Sequence, residues 1–186
     1  MSEIRIRTVT ENDAEKLLEI YSPYVEKTAI TFEYDVPTVA EFKKRIRHTL
    51  RKYPYFAAEL DGEIAGYAYA GPFKERSAYD WAVETTVYVN ESLKGMGIGK
   101  KLYSALENAL KNQNILNLNA CIAYTDTEDG HLINASYMFH EHLGYRLVGR
   151  FIKCGYKFGK WYDMIWMEKH IGVHNDVPEK VKWFSE

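Results

Sequence analysis

Residues 81–100 read WAVETTVYVNESLKGMGIGK. The first half, through Asn90, is dense in β-branched and aromatic side chains, which suit a pleated, half-buried strand. The second half carries Gly95, Gly97 and Gly99, and from Ile98 onward Leu102, Leu106 and Leu110 recur on one helical face. Strand, glycine turn and helix therefore follow one another. At such a helix N-terminus the unpaired backbone N–H groups and the positive end of the macrodipole suit an anion such as a pyrophosphate. Two better-known phosphate loops fail on spacing. A P-loop needs Ser or Thr after Gly99-Lys100, where Lys101 stands, and an earlier glycine where Lys94 stands. A dinucleotide loop beginning at Gly95 needs glycine at Lys100.

On the N-terminal side, Glu63 to Tyr69 and Tyr55 to Leu60 flank Asp61-Gly62, a pair that tolerates the positive φ values of a two-residue hairpin turn. Thr38 with Glu41 forms a capping-box signature for a helix bearing Phe42, Ile46 and Leu50. The aromatic-rich stretch 28–37, TAITFEYDVP, ends in a proline and reads as a loop. Before it lies an amphipathic helix with Ala14, Leu17, Leu18 and Tyr21, preceded by Thr10, and a strand over residues 3–9. On the C-terminal side, 115–124 reads as a strand and 134–143 as a short helix closed by Gly144. Further strands are predicted over about 145–153 and 160–168. The order βααβββαβαββ is mixed α/β.

A chain of 186 residues with 46% hydrophobic and 27% charged residues is sized for one core. Residues 1–171 are expected to form a single domain and 172–186, with Pro178, a C-terminal tail that packs on the body or on a partner. No apolar run has the length of a membrane span, and the first residues lack a signal-peptide pattern, so a cytoplasmic protein without a membrane partner is expected. Cys121 and Cys154 lie far apart with no histidine at ligand spacing, which argues against a disulfide framework and against a metal site. A net charge of −2 gives no general attraction for nucleic acid.

Lys94-x-x-Gly97-x-Gly99 resembles the acetyl-CoA signature of the GNAT superfamily, usually written Arg/Gln-x-x-Gly-x-Gly/Ala, with Lys94 a conservative departure. The segments GPFKERSAYDWAVETTVYV and NASYMFHEHLGYRLVGRFIKCGYKFGKWYDMIWMEK are similar to the phosphinothricin and methionine-sulfoximine acetyltransferase subgroup. The resemblance implies a three-layer α-β-α fold with a central, mostly antiparallel, splayed sheet of about seven strands and about four helices. It implies acetyl-CoA as cosubstrate, held by the backbone of Val87, Tyr88 and Val89 and by Lys94, Gly95, Met96, Gly97, Ile98, Gly99 and Lys100. It further implies a homodimer and a small-molecule amine acceptor.

In that family Asn-x-x-Ser opens the next helix. Here Asn134 is displaced by one position in Asn134-Ala135-Ser136, and Ser136 aligns. An amine attacks a thioester only as the free base, so the site must accept a proton from a group of pKa about 7.7–8.0. The resemblance puts Glu84 on the subgroup's general base. Backbone N–H groups near Val87 would face the oxyanion of the tetrahedral intermediate. His140, in Phe139-His140-Glu141, and Tyr137 are candidates for proton transfer to the leaving thiolate. Arg76 is the natural clamp for an acceptor carboxylate or phosphinate, with Phe32, Tyr79 and Trp81 walling its side chain. The other readings are acetylation of a different amine, such as a polyamine or a protein N-terminus, and a non-catalytic acyl-CoA sensor.

Overall fold

The computed structural model describes residues 3–184, so residues 1, 2, 185 and 186 of the expected domain and tail lie outside the described residues. Seven strands and four α-helices follow the predicted order: β1 (Ile4–Thr8), α1 (Ala14–Lys27), α2 (Val39–Leu50), β2 (Tyr55–Leu60), β3 (Glu63–Pro72), β4 (Ala82–Val89), α3 (Ile98–Asn112), β5 (Asn117–Tyr124), α4 (Ala135–His142), β6 (Arg146–Lys157) and β7 (Lys160–His170). The fold is mixed α/β. The chain forms two compact units, one of residues 1–20, 37–118 and 170–186, the other of 21–36 and 119–169, with the boundaries falling inside α1, in the loop before α2, inside β5 and at the end of β7.

In the first unit β1, β2, β3 and β4 pair antiparallel in that order. Asp61 and Gly62 turn β2 into β3 with φ of 53° and 88°, the left-handed values that the Asp-Gly pair accommodates. Thr38 caps α2: its hydroxyl accepts from Glu41 N at 3.2 Å, and the Glu41 carboxylate accepts from Thr38 N at 2.8 Å. α3 packs across this sheet through Ile98, Leu102, Leu106 and Leu110, all buried. At about 1.5–3 kcal/mol for each fully buried side chain, these four contribute roughly 6–12 kcal/mol.

The segment after β7 is docked on the same unit. Gln113 Nε2 donates to the carbonyls of Lys52 and Lys182, both at 2.8 Å, and Lys182 N returns a bond to Gln113 O at 3.0 Å. Asn114 Nδ2 donates to Lys180 O, Trp81 Nε1 to Glu179 O, and Trp183 packs edge-on against Tyr53. Backbone carbonyls of the segment thus meet side-chain donors of the body, while its Trp183 and Phe184 rings pack edge-on against Tyr53 and Phe56.

In the second unit the strands run in the order β5, β7, β6, with β6 and β7 antiparallel. The β6–β7 turn uses Phe158 and Gly159 at φ of 51° and 74°, and the Phe158 ring is stacked on His131 at 4.0 Å. β6 extends to Lys157, beyond the expected end near 153, because a bulge absorbs the irregularity: Lys153 has φ 51° and the register shifts between Phe151 and Gly155. Loop 28–36 is anchored by Lys157, which is 3% exposed and donates to the carbonyls of Val25 (2.7 Å), Thr28 (2.9 Å) and Thr31 (2.9 Å). Burial pulls the pKa of this ammonium below the usual lysine value, and Glu33 opposes the shift. The Tyr34 hydroxyl donates to Tyr156 O, and Phe32 fills the space beside Gly155 that a side chain would need.

Candidate active site

Alternation along β4 assigns its two faces. Thr85 is buried and its hydroxyl accepts from Tyr103 of α3 at 3.2 Å, so Thr85 faces α3 and Glu84, Thr86 and Tyr88 face the other way. On that second face the cross-strand pairs are Tyr67–Tyr88, Tyr69–Thr86 and Gly71–Glu84. Burial raises the pKa of the Glu84 carboxyl above its ordinary value, with Lys74 pulling weakly the other way. A half-buried carboxyl with a raised pKa is a better proton acceptor than a solvated one.

β3 and β4 are joined by a loop containing the predicted acceptor residues. Arg76 precedes a 3₁₀ turn at Ser77–Tyr79, with Tyr79 N donating to Arg76 O at 2.9 Å. Arg76 is exposed and has no salt-bridge partner among the described residues. Tyr79 packs edge-on against Phe73 at 5.9 Å. Trp81 is held otherwise: its indole N–H is committed to Glu179 O, and its carbonyl accepts from Leu116 N and Asn117 N.

After Val89 the chain turns sharply. Asn90 Oδ1 accepts from Ser92 N (3.1 Å) and Ser92 Oγ (2.8 Å), and Asn90 N donates to Ala65 O at 2.8 Å. Gly66, opposite Val89, lets the strand end come close: a Cβ there would sit 2.9 Å from Tyr88 O and 3.3 Å from the Ile98 side chain. Asn90 and Gly66 position the glycine turn, and sequence reasoning passed over both. Asn-x-Ser was a visible turn signal, whereas the role of Gly66 depends on strand register.

Gly95 and Gly97 have φ of 84° and 80°, and Gly97 is the left-handed N-cap of α3. The first bond of the helix runs from Lys101 N to Gly97 O at 3.1 Å, so the amides of Ile98, Gly99 and Lys100 precede the helical ladder. An added Cβ at Gly95 or Gly97 would meet no protein atom within 4 Å. Open space over three amides at the positive end of a 15-residue helix, flanked by exposed Lys94, Met96 and Lys100, fits a pyrophosphate.

The remaining candidates lie in the second unit. Asn134 gives both ends of its amide to Thr125: Nδ2 donates to Thr125 O at 2.8 Å and Oδ1 accepts from Thr125 N at 3.3 Å. Ser136 is half-buried, and its carbonyl accepts from His140 Nδ1 at 2.8 Å, which places a proton on Nδ1. His140 is 3% exposed, and burial lowers its pKa against the effect of that bond, so the ring is neutral. The half-buried Tyr137 donates its hydroxyl to Glu141 at 2.9 Å, which raises the phenol's pKa. Phe32 packs on the cluster of Ala29, Ala123, Leu132 and Tyr162.

Comparison with known proteins extends this geometry. The family model described as "Acetyltransferase (GNAT) domain" matches residues 6–166. Phosphinothricin N-acetyltransferase of Streptomyces viridochromogenes is 34% identical over 161 residues, 87% of this chain and 84% of that protein. L-methionine sulfoximine/L-methionine sulfone acetyltransferase of Pseudomonas aeruginosa is 31% identical over 178 residues, 93% of this chain and 98% of that one. Among solved structures, a GNAT superfamily phosphinothricin acetyltransferase from Sinorhizobium meliloti in complex with AcCoA superposes with a TM-score of 0.83 at 31% identity, covering 91% of this chain and 89% of that one. Element order, glycine-turned helix and these similarities agree: the chain belongs to the GNAT acetyltransferase family.

Proposed function

We propose that this protein transfers the acetyl group of acetyl-CoA to the amino group of a small amino-acid-like acceptor of the phosphinothricin or methionine sulfoximine type. The observation that carries the reading is the joint presence in one unit of a half-buried carboxyl of raised pKa, Glu84, and the open amides that begin α3 on the same strand–turn–helix. Acetyl-CoA supplies the activated acyl group. The amides of Ile98, Gly99 and Lys100, with the Lys94 and Lys100 side chains, hold its pyrophosphate, and the backbone of Val87–Val89 lines its arm. Glu84 accepts the ammonium proton, directly or through water, and the freed amine attacks the thioester. Proton return to the thiolate falls to Tyr137, whose raised pKa keeps it protonated at neutral pH, while the geometry of His140 suits a helix fixture. Arg76, exposed and without an acidic partner among the described residues, clamps the acceptor's anionic group, beside Tyr79.

We read residues 1–171 as the acetyltransferase domain and the last residues as its docked tail. We also infer a homodimer: β6, terminal in the order β5-β7-β6, exposes Leu147, Val148, Phe151 and Ile152 at 53%, 58%, 55% and 72%, an apolar edge that a second copy would cover. Sedimentation of the wild type as a dimer and of Ile152→Asp as a monomer supports this, and a monomeric wild type refutes it. A cytoplasmic location suits both the acetyl donor and two cysteines in no disulfide.

The deciding experiment is acetyl-CoA-dependent thiol release with phosphinothricin, methionine sulfoximine and an amine panel including a polyamine and a peptide N-terminus. Turnover of the first two, with Arg76→Ala raising the acceptor KM, is expected. Turnover only of other amines overturns the acceptor, and acetyl-CoA binding without turnover points to a sensor.

A further inference from the structure

The β3–β4 register places Gly71 directly across from Glu84, and directly opposed residues of an antiparallel pair project from the same face. Along β3 the same face carries Tyr67 and Tyr69 before Gly71 and Phe73 after it, since Phe73 N donates to Ala82 O and prolongs the ladder by one pair. The rings of Tyr67 and Tyr69 lie 6.5 Å apart and nearly parallel, and Tyr79 backs Phe73. The aromatic row is thus interrupted at one position, the one facing the carboxyl.

Nothing in the backbone or the packing asks for glycine there. Gly71 has no positive φ, and a Cβ built on it would meet no atom within 4 Å. This contrasts with Gly66 on the same strand, where a Cβ would collide with Tyr88 O at 2.9 Å. Cross-strand Cβ atoms stand about 4.5–5.5 Å apart, so any side chain at 71 would occupy the space beside the Glu84 carboxyl.

We propose that Gly71 is a specificity-determining position: its missing side chain leaves a slot between Tyr69 and Phe73, alongside Glu84, that receives the acceptor's carbon chain and sets the bulk the enzyme admits next to the base. The inference rests on Glu84 acting at the acceptor amine. It predicts that short amino-acid acceptors need less of the slot than long, branched or tetrahedral-headed ones.

The test uses full-length wild type, Gly71→Ala and Gly71→Val, with kcat/KM for phosphinothricin and methionine sulfoximine and for the shorter homologues of each. The KM for acetyl-CoA and the melting temperature are measured alongside. The expected result is a graded loss, about tenfold or more for Val with the long acceptors, against little change for the short ones, because a methylene-sized obstruction in a pocket is worth about 10–200-fold. The acetyl-CoA KM and the melting temperature stay at wild-type values. Three results overturn the proposal: equal loss across acceptors, unchanged selectivity in Gly71→Val, or a lowered melting temperature accompanying a uniform loss. Wild-type inactivity toward every acceptor overturns the functional reading and the slot together, whereas an active wild type with an indifferent Val variant overturns the slot alone.

Discussion

Replacing Lys157 by Met keeps most of the buried stem and removes the ammonium. Its three bonds reach Val25, Thr28 and Thr31 at 2.7, 2.9 and 2.9 Å. The Val25 carbonyl cannot turn to its usual helical donor, because Ala29 N is committed to His131 O at 2.9 Å. Hydrogen bonds to a charged group contribute about 1.5–3 kcal/mol each, so three give roughly 4.5–9 kcal/mol. Burying the ammonium costs several kcal/mol in return, which leaves a net loss near 3 kcal/mol for Lys157→Met. With about 2–4 °C per kcal/mol for a chain of this size, the melting temperature should fall by roughly 6–12 °C. Urea titration of both proteins gives the free-energy difference directly. A loss below about 1 kcal/mol, the size of one ordinary neutral hydrogen bond, would refute the claim that this lysine anchors the loop.

Glu84→Gln should lower kcat by about 10²–10⁴-fold and erase the acid limb of the pH–rate profile; an unchanged limb would assign it to another group. Stability should move the opposite way. Folding raises the pKa of Glu84 above 4.5, so the folded chain holds an extra proton between 4.5 and the raised value, and stability falls as pH rises through that window. Glu84→Gln should therefore melt higher than wild type above the window, and the two should converge below pH 4.5; a variant that melts lower throughout would show that the carboxylate is structural. Gly97→Ala forces a left-handed alanine, at a cost of about 1–2 kcal/mol, and puts a methyl over the α3 amides. Its KM for acetyl-CoA should rise about tenfold, the equivalent of 1.4 kcal/mol, with the acceptor KM unchanged, and a wild-type value would remove the turn from the anion site.

What could be read from the sequence was what short-range chemistry decides. Asp61-Gly62, the Thr38–Glu41 box, the α3 stripe and the glycine turn each declare themselves within a few residues, and each is present in the structure. The second hairpin turn was harder, because Phe158 is an unusual residue for positive φ and is kept there by stacking on a ring 27 positions away in sequence, His131. β6 looked shorter than it is because its bulge breaks the two-residue alternation. The role of Lys157 has no local signal, since nothing near it in sequence announces three carbonyls waiting for an ammonium. In the candidate site, the strand of Glu84 and the turn were legible from their own residues. That Gly71 faces Glu84 was not, since it follows from register alone. Nor did the sequence show that the Asn134 amide engages Thr125 or that the Trp81 indole engages Glu179, since both bonds end on backbone that any residue would supply.

The first unit is discontinuous, built from residues 1–20, 37–118 and 170–186, with Gln113 holding Lys52 and Lys182 at once. On the ribosome this order inverts the usual sequence in which N-terminal parts fold first. The unit that contains the first strand and Glu84 lacks its closing segment until residues 170–186 are translated, whereas residues of the second unit have all been synthesised by position 169. Termination just after codon 169 would yield chains with every catalytic candidate present and the latch missing, so it should produce protease-sensitive fragments in place of a slightly shorter enzyme.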